Sequence, residues 1–433
     1  MARPVLPTFA AQSHLRNIPE SRLVDSFVFH NWSQEERARD PEAARRTVRD
    51  ALARWREMGV PAPRDARGER CYDPAEVALC MRMSGYEGAD PYWRERHLSS
   101  LRSLILSLHP PGTPRDVAPK VATLPGRRVV MTMERRFNPA YLMPNGRLRL
   151  PVPQVDDSTR NLEVRLDPVA GIDAPPRLAD DYAEVRLADV PAEPVVMGAR
   201  YAFDAYPTVP AGPAAVLSPA ERELYLRPRE DLVQLTPGIV ALAASLSIGA
   251  VTPFEQVHRF YAHVTKRLDL GPFPYALLDL EPPAHYPPQM GWFDCRRLSA
   301  FLVALCRAVG LPARRATGYL LYPACINYHH WAEVWLDGQG WLSIDQLSAE
   351  LAAVDQDPPW RGALVGAMDY RMKMGYMPRA FNGSPGVRLP ASWTSLELDA
   401  GGATQTDIID MASNSLVWTD ILRVELGAPV SAG

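Results

Sequence analysis

The chain has 433 residues, more than one hydrophobic core usually holds, so two or three domains are expected. Lysine and arginine (47) nearly balance aspartate and glutamate (50), and a formal net charge of −3 gives no electrostatic basis for binding nucleic acid. The five cysteines are irregularly spaced, which argues against a disulfide framework, and no glycine-rich phosphate loop or metal-ligand cluster occurs in the sequence. We therefore expect no cofactor and no metal.

Residues 1–122 are predicted to form a helical N-terminal domain. Residues 41–58 and 74–83 have the spacing of amphipathic helices, and residues 98–108 are rich in leucine. No motif of known chemistry occurs in this part of the sequence.

The sequence also predicts where the protein resides. Its first twenty residues contain no continuous apolar segment of the signal-peptide kind. The longest apolar stretch, residues 238–251, is too short and too interrupted by serine to span a bilayer. These features predict a soluble, cytoplasmic protein with no membrane partner.

Residues 123–210 are predicted to form a β-sandwich domain. Short alternating runs, such as residues 128–133 and 147–150, are separated by proline, glycine and asparagine, a pattern typical of strands joined by turns. Residues 211–355 then form the predicted catalytic core, and helices that begin at Pro219 and Pro253 lead into it.

A helix is predicted to begin at Cys295. Apolar residues recur after it at steps of three and four: Leu298, Phe301, Leu302, Leu305 and Val309. Gly310 and Pro312 then end the helix. Asp294 is a candidate N-cap, so Cys295 would lie in the first turn, where free backbone N–H groups and the helix dipole stabilise a thiolate.

A β-hairpin is predicted near the end of the core. Residues 329–336 and 341–345 alternate between two faces, and the residues between them, Asp-Gly-Gln-Gly, supply a turn. Registers whose paired residue numbers sum to an even value place His329 and Asp345 on one face, within direct or diagonal reach. An odd register would separate them.

Four motifs follow one another in this part of the chain: GWFDC at 291–295, LPAR at 311–314 with GY at 318–319, HHWAEVW at 329–335, and GWLSID at 340–345. Their order resembles the core of the transglutaminase-like superfamily, which has a cysteine opening a helix, a GLPAR…GY run, a HxWxEVW strand and a GW…D strand. The resemblance implies an α+β fold with a papain-like, transglutaminase-like catalytic core, preceded here by the β-sandwich and the helical N-terminal domain.

The resemblance also implies a role for each polar residue of the motifs. Cys295 aligns with the nucleophile, His329 with the histidine that moves the proton, and Asp345 with the carboxylate that orients the histidine. His330 falls at the variable position of the motif and is expected to face the core as a filler. The alternative interpretation of Cys295 is a buried structural thiol, and the same interpretation is favoured for Cys306.

The chain departs from the family pattern around the nucleophile. Many relatives have a glycine two residues before the cysteine and an acidic residue two or three after it, whereas this chain has Phe293, Arg297 and Leu298. The departure favours a bulkier and more positive site entrance. Arg296 and Arg297 are therefore candidates for binding an acidic or phosphate-bearing group, and a solvated or structural arginine pair is the alternative.

Four further residues, and the backbone of Cys295, are considered as parts of the site. The backbone N–H of Cys295 and the side-chain amide of Gln289 are candidate donors to an oxyanion. Gln289 lies six residues before Cys295, a spacing that belongs to papain-like enzymes and not to the transglutaminase-like pattern. Trp292, Tyr319 and Trp331 are expected to be walls of an acyl-binding groove and not chemical participants.

Residues 356–433 are predicted to form a C-terminal extension packed on the core. Proline, glycine and aromatic residues dominate this part, and its hydrophobic periodicity is weak. Residues 417–426 are expected to add a late strand.

These features together predict a cysteine-dependent enzyme that forms a covalent acyl-enzyme. The donor would be an amide or a thioester, including one held on a carrier protein, and an amine would accept the acyl group to form an amide. If water accepts it instead, the protein is a cysteine peptidase or amidase. A non-catalytic transglutaminase-like scaffold is the third alternative, which the presence of Cys295, His329 and Asp345 together disfavours.

Overall fold

The computed structural model describes most of residues 126–345 and smaller parts elsewhere. The described residues are 18–22, 42, 45–46, 49–50, 52–53, 56, 64–72, 126–172, 174–179, 181–207, 216–230, 232–267, 269–270, 292–293, 295–322, 325–345, 365–366, 371–376, 384, 387, 393–400, 403–410 and 418–430. The helices with defined bounds are α1 (Pro219–Leu224), α2 (Pro237–Ser247), α3 (Pro253–Arg267) and α4 (Cys295–Ala308).

The strands range in length from two to thirteen residues. They are β1 (Ile18–Pro19), β2 (Cys71–Tyr72), β3 (Gly126–Phe137), β4 (Arg147–Pro151), β5 (Thr159–Leu166), β6 (Arg177–Leu178), β7 (Tyr182–Arg186), β8 (Val195–Ala205), β9 (Arg229–Glu230), β10 (Val233–Gln234), β11 (Asp269–Leu270), β12 (Trp292–Phe293), β13 (Ala313–Tyr322), β14 (Cys325–Leu336), β15 (Gly340–Ile344), β16 (Arg371–Tyr376), β17 (Trp393–Ala400), β18 (Ala403–Asp410) and β19 (Trp418–Val430).

Little of the predicted helical N-terminal domain, residues 1–122, belongs to the described part of the chain. That part contains the antiparallel pair β1–β2 and isolated helical positions, such as 45–46 and 52–53. The helical domain therefore stays a prediction. Among the helices within the described residues, none has both the length and the apolar character needed to cross a membrane.

Residues 126–205 contain all but one of the strands of two small antiparallel sheets, and β19 from the C-terminal part of the chain completes the first. The first has the order β19-β3-β8-β5 and the second the order β4-β7-β6. In β3, Val129, Met131 and Met133 are buried and Thr132 between them is exposed, as expected for a strand with one face in a core. The predicted strands of this region are confirmed, and their arrangement as a separate β-sandwich domain stays a prediction.

The C-terminal part of the chain supplies strands to two different sheets. The late strand predicted at residues 417–426 is confirmed as β19, which pairs with β3 at the edge of the first sheet. Asp420 of β19 forms two buried contacts of 2.7 Å with the guanidinium of Arg135 in β3. Strand β16 pairs instead with β13 of the core.

Helix α4 is the centre of the catalytic core. Its residues from Arg296 to Arg307 are buried, and they share one hydrophobic cluster with α2, α3 and the strands β13, β14 and β15. The helix ends where Gly310 adopts a left-handed conformation (φ 81°) and the N–H of Leu311 donates to the carbonyl of Cys306 at 3.0 Å. The predicted helix, beginning at Cys295 and ending before Gly310, is confirmed.

The core sheet has the order β15-β14-β13-β16, and all neighbours are antiparallel. Strands β13 and β16 approach each other very closely at Gly318, where an added Cβ would lie 2.0 Å from the carbonyl oxygen of Met372. Gly318 also pairs with His329 on its other side. Glycine at this position therefore brings β16 close to the strand that carries the histidine.

Candidate active site

The candidate nucleophile, Cys295, is the first residue of α4 and is half-buried. This position is the one expected from the sequence, because the unpaired N–H groups of a first turn favour a negatively charged sulfur. Two residues that the sequence places beside it, the N-cap candidate Asp294 and the oxyanion candidate Gln289, lie outside the described residues. Their roles stay predictions.

The hairpin of β14 and β15 brings His329 and Asp345 together. Ala332 pairs with Ile344 and Glu333 pairs with Ser343, so the register is of the even kind that places His329 and Asp345 diagonally on one face. The ring Nε2 of His329 donates to the two carboxylate oxygens of Asp345 at 2.9 and 3.0 Å. The predicted hairpin is confirmed, and of the two kinds of register considered it has the one that keeps His329 and Asp345 on one face.

His329 also forms a hydrogen bond with Cys295, which completes a series of three polar groups. Because Nε2 is used by Asp345, Nδ1 is the ring nitrogen left for the sulfur. Burial disfavours the charged ring, but the Asp345 carboxylate and then the Cys295 sulfur outweigh that effect and raise the pKa of His329 to about 10. The ring is therefore an imidazolium at neutral pH, the partner that a thiolate requires.

The neighbouring His330 has a different environment. Its strand neighbours Ala332 and Val334 belong to the cluster around α4, so His330 points away from the face that carries Asp345. Burial, followed by the positive charges of Arg296 and Arg315, holds the pKa of His330 well below its usual value. Within the described residues its Nδ1 has no hydrogen-bond partner. The expectation that His330 faces the core as a filler agrees with this placement.

The other residues expected to contact substrate are mostly buried. Trp331 is 1% exposed and Tyr319 is 4% exposed, and Tyr319 belongs to the hydrophobic cluster of the β3 and β4 sheets. This burial argues against the predicted role of Tyr319 and Trp331 as groove walls. Arg296 and Arg297 are also buried, which excludes the solvated alternative for this pair. For Trp292, the backbone lies in β12 and the side chain is outside the described part.

A buried ionic group that the sequence did not predict lies beside the histidine strand. Glu333 accepts from Arg314 Nε and is paired with Lys373 Nζ, each at 2.7 Å, and Lys373 also pairs with Asp156 at 2.7 Å. Burial raises the pKa of Glu333, but Lys373 and Arg314 outweigh it and lower the pKa to about 2. The sequence did contain a signal for this role of Glu333, because Glu333 lies within the HxWxEVW motif and on the same strand face as His329.

A second unpredicted residue, Arg371 of β16, contacts Asp345. Its Nη2 lies 2.7 Å from Asp345 Oδ2, and both side chains are buried. The residues that the structure describes contain no group of three or more metal-ligating side chains that could hold an ion. Cys295, His329 and Asp345 supply the site with a thiol, an imidazole and a carboxylate.

Comparison with known proteins agrees with this geometry. Residues 240–346 match the model of the transglutaminase-like superfamily, and this segment contains Cys295, His329 and Asp345. This segment of the chain is a transglutaminase-like domain, and its core is of the papain-like α+β type that the motifs implied.

Individual relatives are similar to parts of the chain. A protein-glutamine gamma-glutamyltransferase of Pseudomonas aeruginosa is 28% identical over 162 residues, which cover 33% of this chain and 23% of that protein. The chain thus spans about a quarter of the length of this relative. A solved structure of a candidate cysteine protease from Cytophaga hutchinsonii has 13% identity and a TM-score of 0.39, covering 71% of this chain and 92% of that one. The periplasmic domain of TgpA from Pseudomonas aeruginosa has 19% identity and a TM-score of 0.27, covering 57% and 98%.

The prediction of a cytoplasmic location is contradicted by these comparisons. The TgpA structures similar to this chain are of a periplasmic domain. The cytoplasmic prediction depended on the absence of an apolar leader in the first twenty residues and of a long apolar span, and neither feature determines the compartment in which a folded catalytic domain works.

Proposed function

We propose that this protein is a thiol acyltransferase that moves an acyl group from an amide donor to an amine through a thioester on Cys295. The observation that carries the proposal is the hydrogen-bonded series from Cys295 through His329 to Asp345, at the start of a buried helix. A nucleophile, a proton carrier and an orienting carboxylate in this order are what acyl transfer by a thiol requires.

In the first step, the thiolate of Cys295 forms a bond to the carbonyl carbon of the donor, and the carbonyl electron pair moves to oxygen. In this proposal the backbone N–H of Cys295 donates to that oxyanion, and Gln289 is the candidate second donor. The C–N bond then breaks as the imidazolium of His329 gives its proton to the leaving nitrogen. The products of this step are an amine, or ammonia from a primary amide, and a thioester on Cys295.

In the second step, an amine attacks the thioester carbonyl. His329 accepts a proton from the attacking nitrogen, the C–S bond breaks, and the thiolate–imidazolium pair is restored. Asp345 keeps Nε2 of His329 engaged throughout, so that Nδ1 remains directed at the sulfur. Water in place of the amine would give a carboxylic acid, and the enzyme would then be a cysteine peptidase or amidase.

The donor class follows from the relative with a named activity. The Pseudomonas aeruginosa relative is a protein-glutamine gamma-glutamyltransferase, a name that specifies the side-chain amide of glutamine as donor. Its similarity to this chain extends over 162 residues, and on this basis we include a glutaminyl amide as the donor in the proposal. A carrier-protein thioester is the competing donor.

The proposal is tested by following a glutamine-containing peptide and a primary amine by mass spectrometry. Wild type is expected to give the amine-substituted peptide and to release ammonia. Cys295→Ala is expected to give neither, whereas Cys306→Ala, which changes a fully buried thiol in the same helix, retains the reaction. Free acid as the main product with amine present would show a hydrolase, and turnover of a thioester alone would identify the competing donor. If Cys295→Ala keeps the full function of the protein, the enzyme proposal is overturned in favour of a scaffold.

A further inference from the structure

Arg371 forms an ion pair with the carboxylate that orients the catalytic histidine. Its Nη2 is 2.7 Å from Asp345 Oδ2, and the two side chains are 3% and 0% exposed. The guanidinium also lies 5.5 Å from the ring centre of Trp331. Arg371 therefore occupies a closed position between an aromatic ring and the carboxylate, in which the ion pair is little screened by water.

Arg371 belongs to a strand outside the segment that matches the transglutaminase-like superfamily. Residues 240–346 match the superfamily, and Arg371 lies beyond them in β16. The close approach of β13 and β16 at Gly318 places β16 next to the strand that pairs with the His329 strand. Two residues further along β16, Lys373 pairs with Glu333 on the same sheet. One strand thus supplies two buried cations, each to a different carboxylate.

We propose that Arg371 is a positioning residue that holds the Asp345 carboxylate fixed in rotation, so that it keeps the ring of His329 directed at Cys295. Both oxygens of Asp345 contact Nε2 of His329, and the Arg371 cation 2.7 Å from Oδ2 favours the rotation of the carboxylate in which that oxygen stays beside it. Partners of this kind behind a functional carboxylate commonly set its orientation. The inference rests on the proposed function of Cys295.

The competing explanation is that Arg371 is a structural ion pair with no influence on the thiol. Both explanations predict that loss of Arg371 lowers stability, because it leaves the buried charge of Asp345 with less compensation. The two explanations differ in whether the effects of removing Arg371 and of removing Asp345 on the thiol are coupled. If Arg371 acts through Asp345, its removal should have little further effect on the thiol once Asp345 no longer orients His329.

A double-mutant cycle measures this coupling without knowledge of the substrate. The readout is the rate at which iodoacetamide alkylates Cys295 at pH 7, followed by peptide mapping in folded protein. We expect Arg371→Met and Asp345→Asn each to slow alkylation by about tenfold, and the double variant to be no slower than Asp345→Asn. Additive losses, or an unchanged rate in Arg371→Met, would overturn the inference.

Lys373→Met is the matched control because it removes a buried cation from the same strand and the same sheet face. Lys373→Met should lower the unfolding midpoint, and any change that it causes in the alkylation rate should add to the change caused by Asp345→Asn. If Arg371→Met does not fold, Arg371→Lys and Arg371→Gln take its place in the cycle, and Arg371→Lys is expected to retain more of the rate.

Failure of the proposed function and failure of the role of Arg371 give different results. If Cys295 reacts no faster in wild type than in His329→Ala, the proposed function itself is contradicted. If Cys295 reacts fast in wild type and the losses are additive, only the role of Arg371 is contradicted.

Discussion

His329 and Asp345 lie diagonally across the hairpin of β14 and β15, with Nε2 of the ring 2.9 and 3.0 Å from the two carboxylate oxygens. The contact is buried, since the two side chains are 7% and 0% exposed. A buried carboxylate at this distance stabilises the protonated ring and selects the nitrogen that faces Cys295. The proton chemistry of the site therefore depends on the register of a single hairpin.

The two adjacent histidines should differ sharply in their effect on the thiol. His329→Ala removes the proton carrier, and we expect turnover to fall by about a hundredfold or more. His330→Ala changes the next residue on the opposite face and should leave most of the activity, apart from a loss of stability from the cavity it creates. The measurement is the initial rate of amine incorporation for both variants. A larger loss in His330→Ala would show that the assignment of His329 is wrong.

The pH dependence of stability should report the proton on His329. Its pKa is raised from 6.5 to about 10 on folding, so its contribution to the free energy of unfolding is complete below pH 6.5 and is lost as the pH rises through about 10. Urea unfolding of wild type at pH 6, 8 and 10 should show this decline, and His329→Gln should show less of it. His330→Gln is the control between pH 8 and 10, where the His330 ring is neutral in both the folded and the unfolded protein. An equal decline in wild type and His329→Gln would contradict the prediction.

Glu333 should matter for stability and for acid resistance. Its pKa is lowered from 4.5 to about 2, so its contribution is present above pH 4.5 and is lost as the pH falls towards 2. Glu333→Gln leaves Lys373 and Arg314 without their shared carboxylate, and we expect a loss of about 3–5 kcal/mol at pH 7, with a weaker dependence on acid. The exposed carboxylate of Asp337 gives the control, since Asp337→Asn should cost about 1 kcal/mol or less. Equal unfolding midpoints for Glu333→Gln and Asp337→Asn in urea would disprove the prediction.

The C-terminal strand should be required for the stability of the first sheet. Asp420→Ala removes the partner of Arg135, which is buried, and an expected loss of about 3–5 kcal/mol follows from the unpaired charge. Glu425→Ala changes an exposed carboxylate on the same strand and should alter stability by about 0.5 kcal/mol or less. Chemical denaturation of the two variants compares these losses directly, and similar values would mean that the Arg135–Asp420 pair contributes little.

The sequence predicted the elements of the site because their signals are local. The helix that begins at Cys295 follows from apolar spacing, and the relation of His329 to Asp345 follows from strand alternation across a short turn. Both are properties of residues within about fifty positions of one another. The late strand at the C-terminus was also predicted from its local pattern.

The remaining features depend on contacts between distant parts of the chain. Arg371 was not predicted, because its proximity to Asp345 depends on the pairing of β16 with β13 in a segment with weak periodicity. The burial of Tyr319 was not predicted either, since alternation gives the face of a strand and not the surface that covers it. Likewise, the local pattern of β19 predicts a strand but does not identify β3 as its partner.

The most direct test of the account is to locate the acyl group during the reaction. Wild-type protein is mixed with a donor amide, quenched in acid, and digested for peptide mapping by mass spectrometry. We predict a thioester adduct on the peptide that contains Cys295, absent from Cys295→Ala, and released faster by a primary amine than by water. Turnover with no adduct on Cys295, or an adduct that persists in Cys295→Ala, would contradict the central claim that this thiol is the nucleophile.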